Sequence, residues 1–163
     1  MPARLDDKMK AEDILKLPSS LWAKIGGKAA TKIVKDSDKG YGTNEGTNKR
    51  YSFRTVPYTT EYASKKSAGK AGAKGVSASK QTSPPNLRLS GQMLGSISAQ
   101  KPTNVGVDIV FRDGLKVKGN ADNGRNIFGI NDQNQKEIIK NISDYVGKNV
   151  KKYASKQINI TIG

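Results

Sequence analysis

Between residues 21 and 34 the apolar positions recur at steps of four: Leu21, Ile25, Ala29 and Ile33, flanked by Trp22, Ala30 and Val34. That spacing lays them along one face of a helix. Pro18-Ser19-Ser20 supplies a stop and then a cap ahead of the run, and Asp36-Ser37-Asp38-Lys39-Gly40 supplies a turn behind it. Gly26 and Gly27 each cost this helix about 1 kcal/mol relative to alanine. A second run is still more regular. Ile138, Ile142, Val146, Val150 and Tyr153 are spaced by four, four, four and three residues, widened by Ile139 and Tyr145, with Asn131 or Asp132 as the cap.

Strand signals lie between and after these helices. Val105, Val107, Ile109 and Phe111 alternate with small or polar residues, Asp113-Gly114 is a two-residue hairpin signal, and Leu115 and Val117 open the predicted return strand. Ile158, Ile160 and Ile162 alternate with Asn159 and Thr161, as in a strand with one buried face pairing along an exposed sheet edge, on its own fold or a neighbour's. Upstream, Asn86 to Ile97 reads as a short extended entry, a Ser90 cap, and one or two helical turns presenting Met93, Leu94 and Ile97.

Two stretches lack periodicity. Tyr41 to Tyr62 is aromatic but aperiodic, which predicts a packed loop with little regular structure. Residues 64–85 hold five lysines, no acid, and Val76 as the one large apolar side chain. Such a segment buries too little to offset its ordering entropy, so it is expected to be mobile until assembly orders it. Residues 1–18 form a charged N-terminal segment. The element order predicts a single α+β domain over 1–163: a mostly antiparallel sheet of about four strands, two main helices on one face, and a long basic loop.

Composition narrows the chemistry. The 163 residues carry 29 Lys plus Arg against 14 Asp plus Glu, a formal charge of +15, with 34% hydrophobic residues and a mean hydropathy of -0.66. With no Cys there is no disulfide, thiolate nucleophile or cysteine zinc site. With no His there is no serine triad of the usual kind and no histidine-zinc hydrolase. Asp6 and Asp7 stand where a signal peptide needs basic residues, and no apolar run reaches 18 residues, so a protein made in the cytoplasm, with no membrane partner, is expected.

Phosphate-cradling patterns fail on spacing. Gly69 to Gly75 does not match G-x-x-x-x-G-K-[ST], and Gly40-Tyr41-Gly42 has no third glycine. Asp36-Ser37-Asp38 lacks the remaining ligands of a calcium loop. Glu45 and Glu61 stand alone between Asp38 and Asp108, so a paired-carboxylate site needs a partner from elsewhere. The expectation is no catalytic site, no cofactor and no bound metal. The cations Lys49, Arg50, Arg54, Lys65, Lys66, Lys70, Lys74 and Lys80 lie among Tyr51, Phe53, Tyr58 and Tyr62, as in single-strand nucleic-acid binders. The plainer reading makes the rings a satellite core with lysines in water. Either way a charge of +15 favours an acidic protein partner or nucleic acid.

Leu87-x-Leu89-Ser90-Gly91-x-Met93-Leu94-x-Ser96-Ile97 resembles the L-x-x-SG-x-L-x-x-SI signature of the tail-completion, or virion-morphogenesis, proteins of tailed bacteriophages. Lys39-Gly40, Gly46, Tyr51-Ser52, Tyr62 and Lys65 are similar to that family's run after its first helix. Arg125-Asn126-Ile127-Phe128-Gly129 looks like the R-x-x-F-G before its final helix. The resemblance spans about Leu21 to Tyr153. It implies a structural subunit of the virion neck, forming a ring, commonly a hexamer, between the head connector and the tail tube or tail terminator, with the exiting genome DNA as a further candidate partner. The signature residues then have packing and interface roles, and the cations between Lys49 and Lys80 meet a partner or polyanion. The alternative from composition is a basic nucleic-acid-binding protein of nucleoid or ribosomal type.

Overall fold

The computed structural model describes residues 16–69, 78–88 and 90–157, with side chains as far as Lys151. α1, Ser19–Asp38, takes Pro18 as its N-cap, so neither serine caps it through its side chain. Ile25, Ala29, Ala30 and Ile33 are buried, as the stripe predicts. Gly26 is more than a local cost: a Cβ there would lie 2.8 Å from Ala99 Cβ and from both γ carbons of Val107, whereas one at Gly27 would meet nothing. The hydrogen at Gly26 lets α1 seat directly on the strand that carries Ala99.

The Tyr41–Tyr62 stretch is more regular than expected. β1, Tyr41–Thr43, pairs antiparallel with β2, Arg50–Ser52, and a 3-10 turn follows at Phe53–Thr55. α2, Thr60–Ala68, begins where Thr59 Oγ1 accepts the Tyr62 N–H. Short strands and a side-chain cap carry too little hydrophobic periodicity to be visible in the sequence. The predicted mobile loop at 64–85 is therefore helical at its start, and Pro85 is buried at its end; Lys70, Lys74 and Val76 lie outside the described residues.

After the loop come α3, Gln92–Gly95, β3, Ile97–Gln100, and β4, Asp108–Phe111. β3 and β4 pair antiparallel, Ile97 opposite Phe111 and Gln100 opposite Asp108. The Asp113-Gly114 hairpin is not formed. Gly114 instead opens α4, Gly114–Asp122, with the Lys116 and Val117 N–H groups donating to the Asp113 carbonyl at 3.0 and 3.1 Å. Val117 is fully buried while Leu115 is 89% exposed. Two residues apart they would share a strand face but fall on opposite sides of a helix, and the strand partner of β4 lies upstream in β3.

α5, Asp132–Gln157, is capped by Asn131, whose Oδ1 accepts the Asn134 N–H at 3.1 Å. It runs antiparallel to α1, since Lys32 pairs with Glu137 and Lys28 reaches Asn141. Its regular stripe does not become core: Ile138, Ile142, Tyr145 and Val146 are half-buried, Ile139 and Val150 exposed.

The protein is α+β. The predicted single sheet of about four strands is, among the described residues, two separate two-stranded sheets. Both lean on α1, around a core of Ala30, Ile33, Phe53, Leu87, Met93, Leu94, Ile97, Val117 and Ile127. The predicted strand at Ile158, Ile160 and Ile162 and the segment 1–15 lie outside the described residues. No described helix is long and apolar enough to cross a membrane.

Candidate functional site

The two sequence blocks that carry the family resemblance, far apart in the chain, meet in space. Leu87 has a left-handed backbone, φ +48°, which aims its N–H at the Tyr58 hydroxyl, 3.0 Å away. Leu89 lies outside the described residues. Ser90 Oγ accepts the Gln92 N–H at 3.4 Å, but Gly91, not Ser90, occupies the cap position of α3. Gly91 stands at φ +85°, a left-handed turn that glycine adopts without strain. Met93 and Leu94 are buried, and Ile97 belongs to β3 instead of the short helix.

Arg125 closes the far end. Its Nη1 donates to the Val56 and Pro57 carbonyls at 3.1 and 3.2 Å, and its guanidinium carbon sits 5.0 Å from the Tyr58 ring centre. Next to it Ile127 is the buried residue, while Phe128 is 41% exposed and only edges against Phe111. Phe128 is thus a surface ring instead of a packing residue, because the left-handed Gly129, φ +100°, follows it and turns the chain. The Tyr51 hydroxyl fixes this loop to β2, donating to the Gly124 carbonyl at 2.6 Å and accepting the Asn126 N–H at 2.8 Å; burial raises its pKa.

Between these blocks lies an open cleft of about 560 Å³. Tyr58 and Tyr62 line it together with Ser90, Gly91 and Met93, with Lys116 and Asn120 of α4, and with Asn123 just past the end of that helix. Among the described residues no acidic side chain lines it. Lys116 is itself paired with Asp113 and with Gln92 Oε1, so amides, hydroxyls and exposed ring surface supply most of the cleft's binding capacity. Burial pushes the Tyr58 hydroxyl up to about 12, so it stays a neutral phenol at physiological pH and acts as a hydrogen-bonding group.

Lys66 corrects the sequence reading most sharply. Placed there among surface cations for a partner or polyanion, it is fully buried. Its Nζ donates to Asn86 Oδ1 at 2.6 Å and the Arg88 carbonyl at 2.9 Å, with the Tyr58 hydroxyl 3.5 Å away. Burial first, then the nearby Arg88 charge, lowers its pKa to about 8. A lysine on the inner side of a short helix reads like any other in a lysine-rich stretch.

The remaining cations divide. Lys49, Arg54, Lys65 and Lys80 are exposed, Lys65 pairing with Glu61 one turn away. Arg50 turns inward over the Tyr41 ring, 3.7 Å from its centre, and its Nη2 binds Asp36 Oδ1 at 2.9 Å. Asp36 Oδ2 also accepts from Asn131 and Asn134, at 2.8 and 3.1 Å, joining α1, β2 and α5 through one carboxylate. Asp38 pairs with Arg88 at 2.8 Å. The Asp36-Ser37-Asp38 run is thus spent on internal ion pairs, and among the described residues no three acidic side chains come together as a metal-binding cluster.

No family model matches the chain, and no curated protein and no solved structure is significantly similar to it.

Proposed function

We propose that the protein is a structural subunit of a tailed-phage neck, a tail-completion or head-tail joining protein that acts by shape and complementary charge. The observation that carries this reading is the convergence of the Leu87 to Ile97 and Arg125 to Gly129 blocks on one core and cleft, each holding the other through Tyr58. That is how a sequence signature behaves when it specifies a packed scaffold. The apolar side chains left on the surface, Leu115, Phe128, Ile139 and Val150, add area suited to neighbours. In this reading copies form a ring, commonly six, whose patches meet heterologously, between the head connector and the tail-tube or tail-terminator protein, in the virion neck. The exposed Lys49, Arg54 and Lys80 face acidic neighbours or the exiting DNA.

Deletion of the gene tests this directly. Filled heads and finished tails that fail to join are expected, and complete infectious particles would overturn the reading. The nucleic-acid-binding alternative is favoured by the net charge of +15, but Arg50, Lys66, Arg88 and Arg125 all make internal contacts. Binding of the purified protein to naked duplex DNA that is tight at low salt and collapses as salt rises would favour that alternative.

A further inference from the structure

We propose that the C-terminal segment Ile158 to Ile162 of each chain docks as an added strand in the groove beside β4 of a second copy. The groove, of about 610 Å³, lies between β4 and the start of α5. Ile109, Phe111, Ile130, Ile138 and Ile139 line it, and Gln135 is its one strongly polar side chain. β4 pairs only with β3 among the described residues, so its other edge offers backbone groups to an incoming strand. Ile158, Ile160 and Ile162 put three β-branched side chains on one face of such a strand and leave Asn159 and Thr161 on the other. Strand addition of this kind draws affinity from the main chain and specificity from alternate side chains.

The helix decides which copy supplies the strand. α5 runs to Gln157, and at a rise of about 1.5 Å per residue its end lies roughly 27 Å along the axis from Ile139. Placing Ile160 beside Ile139 of the same chain leaves three residues, Ile158 to Ile160, to return over that distance. Fully extended they span only about 10 Å. A strand that cannot fold back into its own groove is within reach of a neighbour's. Each copy then carries one tail and one groove at opposite ends of α5, a heterologous contact that closes into a ring where the rotation permits. This supplies the contact for the ring proposed above, and rests on that reading only for closure.

The chain has no cysteine, so disulfide trapping is clean. Ile139 is 60% exposed, so its replacement should leave the fold intact. Full-length I160C mixed with full-length I139C under mild oxidation should give a mixed dimer well above that from I160C with L115C, an exposed control. The I139C/I160C double variant should give a ladder of dimer, trimer and higher species. Mixed-dimer yield at the control level, or a double variant that closes on itself as a monomer, overturns the proposal, as does trapping of I139C by a different virion protein in preference to I160C. A chain ending at Gln157 should keep its thermal unfolding midpoint and sediment as a monomer while the full chain is larger; equal masses also overturn it. Failure here with heads and tails still unjoined in the gene deletion rejects the tail exchange alone. A trapped ladder from a protein dispensable for the particle rejects the neck reading and leaves the exchange standing.

Discussion

Lys66 Nζ lies 2.6 Å from Asn86 Oδ1, deep in the protein, and this contact ties α2 to the entry of the Leu87 to Ile97 block. Asn86 passes the link on, its Nδ2 donating to Ser79 Oγ at 2.7 Å. The Lys66 ammonium finds three neutral acceptors, so its charge is solvated by the protein in place of water.

Replacing Lys66 by methionine keeps the stem but leaves the Arg88 carbonyl without its lysine donor and Asn86 Oδ1 with only the longer Arg88 N–H contact at 3.4 Å. Loss of about 1–3 kcal/mol is expected, read as a fall of several degrees in the thermal midpoint. An unchanged midpoint would show that the ammonium is not buried.

Stability should follow pH in a peaked curve. The pKa of Lys66 is about 8 in the folded protein and about 10.4 unfolded. Between those values the unfolded chain holds a proton that the folded one has released, so stability rises with pH, by at most about 1.4 kcal/mol per unit. Above about pH 10 the unfolded tyrosine ionises while Tyr58, near 12 when folded, does not, and stability falls. Denaturant midpoints from pH 7 to 12 should show both limbs, and K66M should lose the rising one only.

Gly26 and Gly27 should respond to alanine with opposite signs. G26A drives a methyl against Ala99 and Val107 and should destabilise by about 1–3 kcal/mol. G27A meets nothing within 4 Å and should stabilise by up to about 1 kcal/mol. Chemical denaturation of the pair reads both, and equal effects would contradict the seating of α1 on β3.

Asp36 to alanine strands Arg50, Asn131 and Asn134 together. A cost of about 2–3 kcal/mol is expected, and R50M in the same background should add less than it does alone. Full additivity in this double-mutant cycle would deny the shared carboxylate.

The helices were legible because burial imposes periodicity, and α1 and α5 both stand where their stripes place them. Asn131 caps as its position suggests. β4 was legible as a strand, but its partner was not: Asp113-Gly114 is a turn signal that a helix start can equally use, and nothing local marks Ile97 to Gln100 as the pairing segment. The same limit hid the burial of Lys66, since a lysine's side is set by tertiary contacts with Asn86 and Arg88. The stripe of α5 showed an apolar face without showing that the domain would leave much of it uncovered. The cleft was half legible, as two motifs whose meeting through Tyr58 only the fold reveals.

Both small ladders lean on α1, and neither two-stranded ribbon is stable by itself. A ribosome therefore delivers the supporting helix long before β3 and β4 can cover it. Throughout that interval its sticky side stays unsheltered, and nascent copies on one messenger are then most prone to capture each other. Synthesis order, rather than the finished molecule, is where this architecture is most vulnerable to aggregation.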